Sequence, residues 1–140
     1  MGFVAKANTK KLLAPRRFVT ALDVVTANAI IHDLALQVPE KVGILTRGER
    51  YFSYYDGQWE RLMIAYGNRS KKTGKIIPFW AMSYESRAAS DGRSLMLTFE
   101  VVRWKTSDDS FEHQSQLKWF LRTVTERLSQ SDPSFRAVTA

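Results

Sequence analysis

The sequence predicts an α+β domain in which an antiparallel β-sheet packs with an N-terminal and a C-terminal helix. Three observations lead to this prediction: a helical apolar stripe within residues 20–38, strand-like patterns between 44 and 104, and a second helical stripe from 117 to 128. Strands that follow one another between two flanking helices are typical of an α+β fold. With 140 residues the chain has room for one domain with one core.

The first helix is predicted from apolar residues at roughly helical spacing, namely Val24, Ala27, Ile31 and Leu34. Thr20, followed three residues later by Asp23, resembles a capping box, so we expect the helix to begin there. Pro39 disfavours the α conformation at Val38, and we expect the helix to end at this point.

The strands are predicted from their period and their composition. Residues 44–55 are rich in β-branched and aromatic side chains, and Asp56-Gly57 is a hairpin signal. Residues 59–66 alternate between two faces, residues 76–84 indicate a further strand, and 94–104 show the clearest alternation.

The closing helix has the least ambiguous pattern, with apolar residues on one side at Leu117, Phe120, Leu121, Val124 and Leu128. We expect the core to be formed mainly by apolar residues of the two helices and the strands: Val24, Ile31, Leu34, Ile64, Leu97, Phe99, Phe120, Leu121 and Val124.

Three segments are predicted along the chain. Residues 1–17 form a basic N-terminal arm without acidic residues, 18–130 form a single α+β domain, and 131–140 form a flexible C-terminal tail.

Composition excludes several classes of protein. The absence of cysteine excludes disulfides and thiolate metal ligands. The longest apolar stretch, residues 21–38, is interrupted by Asp23, His32 and Asp33, so we expect no membrane segment. No secretory signal is recognisable in the first residues, and we expect the protein to be made in the cytoplasm.

Few residues suggest catalysis. His32 fits a structural or surface role on the first helix, or a pairing with a carboxylate. His113 stands beside Asp108, Asp109 and Glu112, which fit N-terminal capping of a helix better than a metal site. We therefore predict no enzyme, no catalytic residue, no metal and no cofactor. A hydrolase of unrecognised type would require a concave site that pairs a histidine with a carboxylate.

Positive charge is the main functional signal, because the net charge is +7. The predicted interaction surface consists of the basic residues in the arm and in the polar loop 67–75: Lys6, Lys10, Lys11, Arg16, Arg17, Arg69, Lys71, Lys72 and Lys75. Three interpretations stay open: segments that keep the protein soluble, contacts with nucleic-acid phosphates, and contacts with an acidic protein surface. No recognised nucleic-acid-binding signature accompanies the charge.

Short motifs occur in a fixed order between Thr20 and Leu128. They are Pro39, Gly43 and Leu45, then Ile64 to Gly67, then Phe79-Trp80-Ala81 with Glu85, and finally Phe120-Leu121. This order resembles the small minor-capsid and tail-completion proteins of siphophages, with their P-x-x-T-G-x-L segment, Y-A-x-x-x-x-E-like run and F-L helix. Val42 stands where that family has Thr, and Trp80 where it has Tyr.

The resemblance implies a structural virion protein of the bacteriophage head–tail junction, in the neck, for tail completion or as a tail terminator. Family members act as subunits of a ring homo-oligomer, which implies connector, neck and tail-tube proteins as partners and non-specific contact with packaged DNA as an option. Ring closure uses two different lateral surfaces, and the tryptophans are candidates for such contacts: Trp59, Trp80, Trp104 and Trp119. The alternative is a small basic nucleic-acid-binding or host-inhibiting accessory protein of a phage or plasmid.

Overall fold

The structure, a computed structural model, describes residues 13–39, 41–42, 46–47, 49–54, 61–104 and 111–138. In chain order the elements are β1 (Arg16–Thr20), α1 (Val24–Ala35), β2 (Lys41–Val42), β3 (Thr46–Arg47), β4 (Glu49–Tyr54), β5 (Arg61–Arg69), β6 (Ile76–Ala88), β7 (Leu95–Trp104), α2 (Phe111–Ser131) and β8 (Arg136–Val138).

The main sheet has six strands in the order β4-β5-β6-β7-β1-β8, and all of its pairings are antiparallel. Strands β2 and β3 form a separate two-stranded sheet. The predicted fold class, an α+β domain with an antiparallel sheet and a helix toward each end of the chain, is confirmed.

Strand register places the largest apolar side chains on one face of the sheet. Leu62 pairs with Tyr84, and Tyr84 pairs in turn with Phe99. Since paired residues of antiparallel strands share a face, these side chains form a continuous inner layer. All of the predicted core residues are buried except Val24, which is half-buried.

Both helices cover this inner face. The ring of Phe120 on α2 meets the edge of Phe99, with centroids 6.2 Å apart. On the α1 side, the hydroxyl of Tyr84 donates a hydrogen bond to Asn28 Oδ1 at 2.5 Å. The whole predicted stripe of α2 is buried, because the helical period aligns its apolar residues on the side that meets the sheet.

The start and the end of α1 differ from the prediction. Asp23, and not Thr20, is the N-cap: its Oδ1 accepts a hydrogen bond from the Thr26 N–H at 2.7 Å, which lowers the pKa of Asp23. Thr20 lies in β1, and its hydroxyl donates to Asp132. The helix ends at Ala35, before the position predicted from Pro39.

The predicted arm and tail boundaries also differ from the structure. Arg16 and Arg17, assigned to the arm, lie in β1, and the segment predicted as a flexible tail contains β8, which pairs with β1. Strand β6 also runs to Ala88, four residues beyond the strand predicted over 76–84. Strands of three to five residues are too short for a periodic signal, so pairing with distant residues decides them. The hairpin signal Asp56-Gly57 lies outside the described residues.

Candidate functional site: the basic hairpin tip

The hairpin of β5 and β6 carries the basic loop predicted from the sequence. Its two strands remain paired as far as Arg69 and Ile76. The pairing of β4 with β5 stops at Gly67, and the pairing of β7 with β6 stops at Trp80. Among the described residues, the paired strands of the hairpin therefore extend past β7 by about 13 Å and past β4 by about 7 Å, at roughly 3.3 Å per residue. We call residues 68–77 the basic hairpin tip.

Hydrogen bonds define the conformation of the loop within this tip. The Ser70 N–H donates to Lys75 O at 2.8 Å, and the Gly74 N–H donates to Ser70 O at 2.9 Å. Ser70 Oγ accepts from the N–H of Lys72 at 3.2 Å and from that of Thr73 at 3.4 Å. Gly74 has a φ of 71°, a left-handed conformation that glycine adopts without steric cost. The loop is thus a hydrogen-bonded platform for its side chains.

The cationic side chains of the tip are exposed to solvent. Arg69 Nη1 donates to Gly74 O at 2.6 Å, so this guanidinium also supports the loop. Lys71, Lys72 and Lys75 are exposed and form no ion pair with any residue in the described ranges. The sequence from 61 to 84 contains no Asp or Glu, so this part of the hairpin, which includes the tip, carries only positive charges. The tip therefore offers several uncompensated charges to an anion.

The structure places the described part of the predicted arm, Arg16 and Arg17, far from the tip. Arg16 pairs with Phe99, which pairs with Tyr84, and Tyr84 is eight residues along β6 from Ile76. At about 3.3 Å per residue this separates Arg16 from the tip by roughly 26 Å along the strands. The remaining arm residues of the prediction, Lys6, Lys10 and Lys11, lie outside the described residues.

A second group of basic residues lies outside the tip, and of its members the sequence prediction named only Arg17. Arg17, Arg87 and Arg136 lie on the face of the sheet opposite the helices, as their register shows. Carboxylates accompany them: Glu85 forms an ion pair with Arg87, and Arg136 interacts electrostatically with Asp91. Alternation in the strands could have revealed the exposed side, but β8 was not predicted. The tip differs from this face because its charges have no acidic neighbour in sequence.

The inner face also contains polar side chains, several of which are hydrogen-bonded to one another or to the backbone. Trp80 Nε1 donates to Gln116 Oε1 at 3.0 Å, and Gln116 Nε2 donates to Pro39 O at 2.6 Å. Burial raises the pKa of Tyr84, whose hydroxyl donates to Asn28. These groups connect the sheet to both helices, which is a structural role. Trp80 is completely buried and Trp104 and Trp119 are half-buried, while Trp59 is outside the described residues.

Of the two histidines, the structure describes the side chain of His32 alone. His32 is half-buried on α1, whereas Asp108 and Asp109, near His113, lie outside the described residues. Within the part of the chain that the structure describes, no three His, Asp or Glu side chains are close enough to hold a metal ion. Over the same residues, neither helix is long and apolar enough to cross a membrane.

A scan against protein-family models, a search of curated proteins and a search of solved structures found no match. The candidate site therefore depends on the geometry and charge of the hairpin tip, together with the short motifs of the sequence.

Proposed function

We propose that this protein is a structural, non-catalytic component of the virion of a tailed bacteriophage, placed at the head–tail junction. It completes the neck or the tail as a subunit of a ring, in contact with connector, neck and tail-tube proteins. The observation that carries this proposal is the basic hairpin tip, which extends past its neighbouring strands and whose Lys71, Lys72 and Lys75 are exposed without an ion pair among the described residues. The motif order that resembles tail-completion proteins supports the same function.

Ring assembly requires two different lateral surfaces on each subunit. The main sheet ends in two unlike strands, β4 with six residues and β8 with three. Unlike edges support contacts of the heterologous kind, in which one copy meets the next through different surfaces. An extended hairpin on such a subunit would point in the same direction from every position around the ring.

The first experiment is electron microscopy of particles from a lysate of the parent phage in which this gene is disabled. Filled heads beside separate tails are the expected result, because a missing junction subunit leaves the two parts unjoined. Intact and infectious virions would contradict the proposal. They would instead favour the alternative, a basic nucleic-acid-binding or host-inhibiting accessory protein.

The tip is tested by the triple substitution Lys71→Gln, Lys72→Gln and Lys75→Gln, with the gene supplied in trans to the disabled phage. At roughly 0.5 kcal/mol for each exposed charge, we expect about tenfold weaker docking and fewer infectious particles. The matched control is Lys118→Gln, Arg122→Gln and Arg127→Gln on the exposed side of α2. Equal yields from both triple variants would remove the tip from the assembly role.

A further inference from the structure

The dimensions of the basic hairpin tip suggest a particular partner. We infer that the tip binds double-stranded nucleic acid, as a two-stranded ribbon placed against a groove with its cations on the phosphates. This inference deepens the proposed function and rests on the same site, since it names the partner of the tip as DNA within the junction.

A two-stranded β-ribbon fits the major groove of B-DNA, which is about 12 Å wide and about 8.5 Å deep. The tip has this form, because within the described residues it is two paired strands without a third beside them. Its paired strands extend about 7 Å past β4 and about 13 Å past β7, at roughly 3.3 Å per residue, and the loop of residues 70–75 lies beyond them. The ribbon can therefore enter a groove before the rest of the sheet meets the phosphate backbone.

Exposure on both sides of the ribbon supports this placement. Asn68 and Arg69 are consecutive on β5, so they point to opposite faces, and both are exposed. On β6, Ile77 pairs with Asn68 and is 56% exposed. A ribbon lying against the body of the protein would bury one of its faces, whereas this one leaves both available.

The charge distribution favours a polyanion over a single anionic group. Lys71, Lys72 and Lys75 lie around the loop with exposed side chains, and none of them forms an ion pair in the described ranges. Nucleic acid supplies a regular series of phosphates for such separate charges, and each contact releases a condensed counterion. Binding should accordingly weaken steeply as salt increases.

The test is fluorescence anisotropy of a labelled 20-base-pair duplex titrated with the full chain between about 50 and 300 mM salt. With Z of about 3 for the lysines, they should contribute roughly −2.7 to the slope of log K against log salt. The triple substitution Lys71→Gln, Lys72→Gln and Lys75→Gln should remove this contribution and weaken binding by about tenfold or more at low salt.

The control variant with Lys118, Arg122 and Arg127 replaced by Gln has the same net charge as the lysine variant, so it measures the effect of overall charge. We expect it to keep most of the salt dependence. Equal loss in both variants, or no binding by the unmodified protein at low salt, would overturn the inference.

Two further probes separate duplex from other anions. Equal affinity for a 20-nucleotide single strand would overturn the groove placement, and stronger binding to polyglutamate would identify an acidic protein surface as the partner. The inference can fail while gene disruption still yields separate heads and tails. Conversely, the protein could bind duplex DNA and still be absent from the phage particle. The duplex-binding inference and the proposed virion function can therefore be refuted independently.

Discussion

At the scale of single residues, Asp132 connects the two ends of the domain. Its Oδ2 accepts hydrogen bonds from Thr20 Oγ1 and from the Ala21 N–H, both at 2.7 Å. Its Oδ1 accepts from the N–H of Ser134 at 2.9 Å and from the hydroxyl at 2.6 Å. The residue is only 5% exposed, so its carboxylate replaces water as the partner of these donors. One side chain thus joins the end of β1 to the turn after α2.

The substitution Asp132→Ala is expected to lower the free energy of unfolding by about 1–3 kcal/mol, because it leaves buried donors without an acceptor. Chemical denaturation followed by circular dichroism measures the difference. Asp33→Ala, at an exposed position of α1, is the control and should change stability by less than about 0.5 kcal/mol.

The same contribution should depend on pH. Burial alone would raise the pKa of Asp132, but the hydrogen bonds from Ser134, Ala21 and Thr20 outweigh it and lower the pKa to about 2. Because the pKa of Asp132 is lower in the folded than in the unfolded protein, its carboxylate stabilises the folded state fully at pH values above about 4, the pKa in the unfolded chain. This stabilisation is lost as the pH falls through about 2. The stability difference between the original protein and Asp132→Ala should therefore shrink over this range. A difference that stays constant down to pH 2 would contradict the assigned hydrogen bonds.

At the scale of elements, the β5–β6 hairpin contains an irregularity where its basic tip begins. The register shifts between Tyr66 and Gly67, where a β-bulge interrupts the ladder. A Cβ at Gly67 would collide with the backbone of β6, at Ile77 O and at Pro78 Cα. The two strands approach each other closely at the point where the tip begins, and a residue without a side chain allows this approach.

Gly67→Ala is expected to destabilise the protein by about 1–3 kcal/mol, because the backbone of one strand must move to accept the methyl group. Thermal unfolding provides the measurement. Asn68→Ala, at the next and exposed position of β5, should change stability by less than about 0.5 kcal/mol. An unchanged melting temperature for Gly67→Ala would show that the close approach is absent in solution.

At the scale of the whole molecule, the two ends of the described chain meet in the sheet. Strand β1 lies between β7 and β8, so the first and last strands are neighbours although more than a hundred residues separate them. The ring of Phe135 stacks on Phe18 with centroids 5.2 Å apart, and Phe18 in turn meets the edge of Phe99. Residues 135–138 are therefore part of the fold.

Deletion of residues 135–140 removes β8 and the ring of Phe135. We expect the free energy of unfolding to fall by about 2 kcal/mol or more, since a half-buried aromatic ring and a strand pairing are lost. Deletion of 139–140 alone is the matched control and should have little effect. If the longer deletion were equally stable by denaturant titration, the predicted flexible tail would describe this segment better than a strand does.

Local sequence alone predicted those helices and strands in which the apolar pattern repeats over several turns or residues. The stripe of α2 and the alternation of Leu97 and Phe99 in β7 were predicted correctly, because both patterns follow from the geometry of one element meeting one apolar layer. The basic character of the hairpin tip is also visible in the sequence, since Lys71, Lys72 and Lys75 occur close together without acidic residues.

Tertiary structure decided the features that depend on residues distant in sequence. Arg136–Val138 is too short to show a periodic pattern and forms a strand through its pairing with β1. Thr20 does not cap the helix, because it lies in β1 and its hydroxyl donates a hydrogen bond to Asp132. The extension of the tip is likewise set by where β4 and β7 stop pairing, at Gly67 and Trp80. Periodicity records which face of an element is buried, whereas strand order, edges and projections come from non-local pairing, which leaves no repeating signal in the chain.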